Sequence, residues 1–253
     1  MSRFDGKNFV VTGASAGIGA ALAGRLAEEG AAVHLAARRR AKLDDHVAAI
    51  RARGGIADAH ECDIADARSV ASLFAAVAAG GGPIDAVINT AAVLWLEPFV
   101  NQSEEHWREI LETNLHGAIR VTQHALAHML PRESGHILHV TSTAGALAIP
   151  HLAIYSTTKA ALAHFLTAMR GEYGRSGVRF TEIQIGNTNG TEGGGAIHQQ
   201  FSEESVQSLL RWTGIPSLLE PEDVVDAVVW ALSTPTRARI DRIVLRELAD
   251  IPT

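Results

Sequence analysis

Tyr155 and Lys159 stand four positions apart in the segment Tyr155-Ser156-Thr157-Thr158-Lys159. On a helix, positions i and i+4 share a face, so this phenol and this ammonium point into the same space. A neighbouring cation stabilises a phenolate and lowers the tyrosine pKa from about 10, which makes the phenol a usable acid and base near neutrality. Ser142 lies 13 positions earlier, just past an apolar run, Gly135 to Thr141, that reads as a strand. A hydroxyl there reaches the top of a sheet, where it can hydrogen-bond a carbonyl oxygen as charge develops on it. Asn114 falls inside a long helical pattern, a place where Asn has poor propensity. Taken singly, each residue has a plainer explanation: most YxxxK pairs are exposed helix pairs, and a serine after a strand usually caps a turn.

A second constellation is Thr12-Gly13-Ala14-Ser15-Ala16-Gly17-Ile18-Gly19. It lies between a run that reads as a strand, Lys7 to Thr12, and a helical pattern marked by Ile18, Leu22 and Leu26. Gly13 allows the tight turn, Gly17 lets backbone approach a pyrophosphate, and Gly19 lets the helix pack closely on the strand. The helix N-terminus offers free N–H groups and partial positive charge to the phosphates. The next strand, Ala32 to Ala37, ends in Ala37-Arg38-Arg39-Arg40. An acid there would bind a ribose 2′-hydroxyl, but Ala37 stands in its place. A guanidinium at Arg38 pairs instead with a 2′-phosphate. NADP(H) is therefore the expected cofactor, with NAD(H) as the alternative. Arg39 and Arg40 read as solvated charge at a helix start.

These residues need a scaffold, and the chain has the rhythm of one. Helical patterns run from Arg40 to Arg53 and Asp66 to Ala79, with strands at Ile56 to Cys62 and Ile84 to Asn89. A long helix from Ser103 to about Leu130, a helix from Tyr155 to Tyr173 and a strand from Val178 to Ile185 follow. Pro221 opens a helix through Leu232, and Ile240 to Leu245 is the last strand. This alternation predicts an α/β fold: a three-layer, Rossmann-like, doubly wound parallel sheet forming a single domain over 1–253. Its ligand should lie at the carboxyl ends of the strands.

Together the motifs resemble the short-chain dehydrogenase/reductase family, over nearly the whole chain from Gly6 to about Leu245. The resemblance implies that Gly13, Ser15, Gly17, Ile18 and Gly19 hold the cofactor, that Asp63 and Ile64 meet the adenine, and that Asn89 and Ala91 lie beside the adenosine ribose. It implies a catalytic set of Asn114, Ser142, Tyr155 and Lys159, with Tyr155 as general acid/base in hydride transfer between nicotinamide and a carbonyl or secondary alcohol. Lys159 would also hold the nicotinamide ribose, and the Asn114 backbone carbonyl would hold a water in a proton relay. Gly186 and Thr188 would meet the nicotinamide carboxamide. Thr90 and Ala92 depart from the family's Asn-Asn-Ala-Gly segment, and Ile185 and Gly190 from its Pro-Gly and later Thr. A homodimer or homotetramer is implied as well. The alternative is a non-catalytic NADP-binding regulatory protein on the same scaffold.

Composition narrows the rest. Lys+Arg 22 against Asp+Glu 28 gives a net charge of −6, with no basic field for nucleic acid. One cysteine, Cys62, excludes a disulfide framework and any multi-cysteine metal site, and no metal is expected. The sequence shows no apolar leader or membrane span, so the expected location is the cytoplasm. The substrate walls expected at Leu94 to Glu97, Ala144 to Leu152 and a substrate-loop region at about 187–215 carry Trp95, Leu147, Ile149, Leu209 and Trp212. They suggest a small, fairly apolar carbonyl or alcohol substrate. Gly193-Gly194-Gly195 suits a lid over it. His124 and His128 lack the carboxylate of a metal motif and read as a surface or subunit-contact face.

Overall fold

The structure is a computed structural model and describes residues 2–80, 82–189 and 218–247. Its strands are β1 (Asn8–Thr12), β2 (Ala32–Ala37), β3 (Ile56–Glu61), β4 (Ala86–Asn89), β5 (Gly135–Ser142), β6 (Val178–Ile185) and β7 (Arg242–Leu245). They form one sheet in the order β3-β2-β1-β4-β5-β6-β7, and every neighbouring pair is parallel. The helices are α1 (Gly17–Glu28), α2 (Arg40–Ala52), α3 (Ala67–Ala79), α4 (Glu104–Leu111), α5 (Ala118–Met129), α6 (Ala153–Tyr173) and α7 (Pro221–Ser233).

The sheet is covered on both faces, as an all-parallel sheet must be. On one side Leu22 and Leu26 of α1, Leu43 and Val47 of α2, and Val224 and Val228 of α7 share a core with residues of β1, β2 and β6. On the other, Val70 and Phe74 of α3, Val121 and Met129 of α5, and Leu166 of α6 share a core with Val87 of β4, Ile137 of β5 and Phe180 of β6. This is the three-layer, doubly wound arrangement expected from the alternation. The chain reverses its direction of travel across the sheet between β1 and β4, where Thr12 pairs in register with Asn89. A crevice for a ligand forms at such a switch point.

Local signals set the element ends. Asp66 caps α3 by accepting from Arg68 N at 2.9 Å, and Ser103 caps α4 by accepting from His106 N at 3.2 Å. Pro221 occupies the first turn of α7, while Asp223 accepts from Glu220 N at 2.8 Å.

One expected element differs. The long helix from Ser103 to about Leu130 is α4 and α5 joined through a π-helical stretch, Glu112–Gly117. The buried positions Ile110, Thr113, Asn114, Gly117 and Ala118 keep ordinary helical spacing, so the sequence pattern runs on through it. His124 and His128, expected on a surface or subunit-contact face, are half-buried. Both rings stack on Phe74 of α3, with centroids 5.5 and 5.8 Å away, so they pack α5 onto α3. Among the described residues no helix is long and apolar enough to cross a membrane. The substrate-loop region beyond Asn189, including Gly193 to Gly195, Leu209 and Trp212, lies outside the described residues.

Candidate active site

The glycine loop closes β1 onto α1. Gly13 has φ +72°, and a Cβ there would stand 2.7 Å from Ala91 N. A Cβ on Gly19 would meet Gly13 O and Thr90 Oγ1. The departure at Thr90 is thereby explained: its hydroxyl donates to Thr12 O at 2.7 Å and ties β4 to β1. The loop is lined by backbone at the start of α1, an arrangement that fits an anionic pyrophosphate.

Beneath the loop runs a chain of polar groups across three strands. Thr12 Oγ1 donates to Asn89 Oδ1. Asn89 Nδ2 donates to His139 Nδ1 at 3.2 Å, and His139 Nε2 faces Thr122 Oγ1 at 2.8 Å. The Thr122 hydroxyl donates to Ala118 O at 2.9 Å, so the imidazole must carry its proton on Nε2. Burial first, and the Lys159 cation second, push His139 down to about 3.

Ser142, Tyr155 and Lys159 meet at the carboxyl end of β5. Ser142 is the last residue of β5, and its Oγ accepts from Ala144 N at 3.1 Å. It also shares a side-chain hydrogen bond with Tyr155. Tyr155 is the third residue of α6, and Lys159 follows one turn on. Lys159 is only 4% exposed, and its Nζ donates to Val140 O at 3.2 Å.

The electrostatics differ from expectation at Tyr155. Burial pushes the phenol up to about 12, against the Ser142 hydrogen bond, which lowers it. Burial also brings Lys159 down to about 8. Desolvation of the phenolate therefore outweighs the Ser142 hydrogen bond, and the phenol form is favoured at neutral pH.

Asn114 sits in the π-helical stretch and is buried. Its amide clamps the chain after β4, accepting from Val93 N and donating to Val93 O, both at 2.8 Å. It also reaches Thr158 Oγ1 on α6 at 3.5 Å.

Asp63 accepts from Ala65 N at 2.9 Å, which shapes the turn after β3, and Ile64 packs against Gly117. Ser15 receives two hydrogen bonds from Arg39, at 3.2 and 2.7 Å. Arg38 turns the other way, and its guanidinium lies 3.6 Å from Glu109 on α4. Reading Arg39 as solvated charge is thus corrected: the non-helical backbone before α2 turns its side chain back onto the glycine loop. Arg40 does pair along its own helix, with Asp44.

The stretch Leu94 to Glu97, expected to wall the substrate, carries polar contacts beside its apolar residues. Trp95 stacks on His106 at 3.5 Å between ring centres, and its indole donates to Glu109 at 2.8 Å. His106 bonds Glu97 at 2.7 Å. No sequence motif marks this set, because loop closure brings it together. Gly186 and Thr188 lie just past β6, adjoining the end of β5.

Known proteins are similar to this chain in sequence and fold. The chain is 30% identical over 241 residues to a putative ketoacyl reductase of Streptomyces coelicolor, with 92% of each chain covered. It is 32% identical over 240 residues to the glycine betaine reductase ATRR of Emericella nidulans, a match covering 95% of this chain but 18% of that protein. A crystal structure of an actinorhodin polyketide ketoreductase with NADPH superimposes with a TM-score of 0.86 at 28% identity, covering 96% of this chain and 97% of the other. The family model described as short chain dehydrogenase matches residues 7–201, and with the glycine loop and the Ser142, Tyr155 and Lys159 cluster in place, the chain belongs to the short-chain dehydrogenase family.

Proposed function

We propose that the protein is an NADP(H)-dependent oxidoreductase acting on a carbonyl or secondary-alcohol group. The observation that carries this reading is the convergence of Ser142, Tyr155 and Lys159 at the end of β5, two strands from the glycine loop. A nicotinamide cofactor, when bound, supplies or takes the hydride.

The chain's own residues handle the proton and the orientation. Ser142 Oγ already accepts the Ala144 N–H, which leaves its own proton to give to a carbonyl oxygen or to Tyr155. Tyr155, protonated because it is buried, is the donor in reduction. Lys159 is charged below about pH 8 and steadies the phenolate that remains. The π-helical stretch at Asn114 loosens the helix ladder where a backbone carbonyl is needed for a water leading to Lys159.

The glycine loop and the start of α1 would hold the pyrophosphate, and Asp63, Ile64, Asn89 and Ala91 the adenosine. Ser15 and Arg39 would hold a 2′-phosphate at a strand end that carries no acid at Ala37, and Arg38 would join them by exchanging Glu109 for the phosphate. The names of the Streptomyces relative and of the actinorhodin ketoreductase support a ketone as substrate. The test is turnover of NADPH with aliphatic, aromatic and cyclic ketones, beside equilibrium binding of NADPH. Turnover supports the reading. Tight NADPH binding without turnover of any ketone would favour the regulatory alternative, which no observation here supports.

A further inference from the structure

Glu247 lies two residues past the end of β7 and is 5% exposed. Neither of its carboxylate oxygens has a hydrogen-bond partner among the described residues. A buried acceptor-only group without donors is among the more costly arrangements a fold can keep.

Its position makes it specific. The carboxylate is packed against Gly186, where a Cβ would collide with Glu247 Oε2. Gly186 N donates to Leu245 O at 2.8 Å, so the ends of β6 and β7 are joined where the carboxylate tucks in. Further along, Asn189 N donates to Leu219 O at 2.7 Å and Leu219 N donates to Asn187 O at 2.9 Å. These two bonds flank Thr188, which forms a parallel bridge with Leu219. In such a bridge the flanking residues use their groups, and the N–H and C=O of Thr188 itself point away from Leu219. The segment proposed above to meet the nicotinamide carboxamide therefore has a carboxylate at its base.

A carboxamide carries two N–H donors and one acceptor, while a carboxylate only accepts. Glu247, an acceptor with no donor among the described residues, matches one of those N–H groups. We infer that Glu247 is a cofactor-binding residue whose carboxylate accepts an N–H of the nicotinamide carboxamide beside Gly186. The inference rests on the proposed NADP(H) site. Fixing the carboxamide in this way would also fix which face of the ring turns to the substrate.

The test compares equilibrium binding of NADPH with that of its acetylpyridine analogue, in which a methyl group replaces the amide NH2. Wild-type protein, Glu247→Ala and Glu247→Gln are titrated with both. In wild type the analogue should bind more weakly by on the order of tenfold or more, the scale of a lost hydrogen bond to a charged group. In Glu247→Ala that gap should narrow by about tenfold, and in Glu247→Gln by less, since a neutral oxygen is a weaker acceptor. The same gap in all three proteins overturns the inference. If Glu247→Ala fails to fold, Glu247→Gln decides in the same way: a narrowed gap supports the inference and an unchanged gap overturns it. A wild-type protein that binds neither compound refutes the NADP(H) site itself, a result distinct from an unchanged gap.

Discussion

Lys159 Nζ stands 5.5 Å from the centre of the Tyr155 ring while it donates to Val140 O on β5. The ammonium is thus anchored to the sheet and held over the phenol's face, one helical turn away. Burial drives the two titrations apart, the phenol up to about 12 and the ammonium down to about 8. At neutral pH the pair is phenol and ammonium, and the ammonium is nearer to losing its proton.

Replacing Tyr155 with Phe removes the proton donor and leaves the ring. Ketone turnover in this variant should fall by about 10²–10⁴-fold, the range for a positioned general acid. NADPH affinity should stay within about threefold of wild type, because a lost uncharged hydrogen bond has a small net effect. Near-normal turnover would remove Tyr155 from the mechanism.

Lys159 ties stability to pH with a definite sign. Its folded-state pKa is lowered to about 8 from 10.5. Below pH 8 both folded and unfolded chains carry this proton, and the full cost of the buried charge is felt. Between about 8 and 10.5 the unfolded chain holds more protons, so stability due to this group rises with pH. Wild type should therefore gain on Lys159→Met by up to about 3 kcal/mol across that window in urea denaturation. A difference that shrinks with rising pH would mean that the folded state stabilises the charge. Ketone reduction should decline over the same window as the cation is lost.

The two guanidinium groups at the end of β2 can be separated by substitution. Arg39→Ala removes the contacts to Ser15, and Arg38→Ala removes the ion pair with Glu109. Each should weaken NADPH binding by on the order of tenfold and change NADH binding by less than about twofold, since only NADPH carries the 2′-phosphate. Arg38→Asp should turn the preference toward NADH by adding repulsion. An unchanged NADPH-to-NADH ratio in all three variants would exclude a phosphate site here.

Asn114→Ala strands both backbone groups of Val93. The loss should destabilise the protein by about 2 kcal/mol, the scale of unpaired buried polar groups. The Val93 amide should exchange with deuterium faster relative to neighbouring strand amides. Unaltered exchange at Val93 would show that the clamp contributes nothing.

Much of the fold is legible in the residues. β2 spans the expected stretch because a strand buried on both faces writes itself as a nearly continuous apolar run, broken here only by His34, and β6 spans its expected stretch on the apolar positions Val178, Phe180, Ile183 and Ile185. Asp66 and Ser103 mark helix starts through chemistry that is local in sequence. The glycine loop and the Tyr155–Lys159 pair are legible for the same reason. Arg39, Glu109, His106 and Glu247 are not. Arg39 reaches Ser15 across 24 positions, and Trp95 meets Glu109 across 14, so their roles depend on tertiary closure that no spacing rule encodes. The π-helical stretch is silent as well, since the buried positions around Asn114 keep the spacing of an ordinary helix.

The polar chain from Thr12 through Asn89 and His139 to Thr122 has one direction of donation throughout. A second proton on His139 would face the Asn89 amide donors and find no acceptor. Reversing the chain would require the amide to flip and Thr12 to turn, inside a packed interior. The floor of the site is therefore a proton insulator. In the proposed reduction, a proton given by Tyr155 would be restored from the substrate opening or from the helix side through Lys159, and not through the sheet beneath.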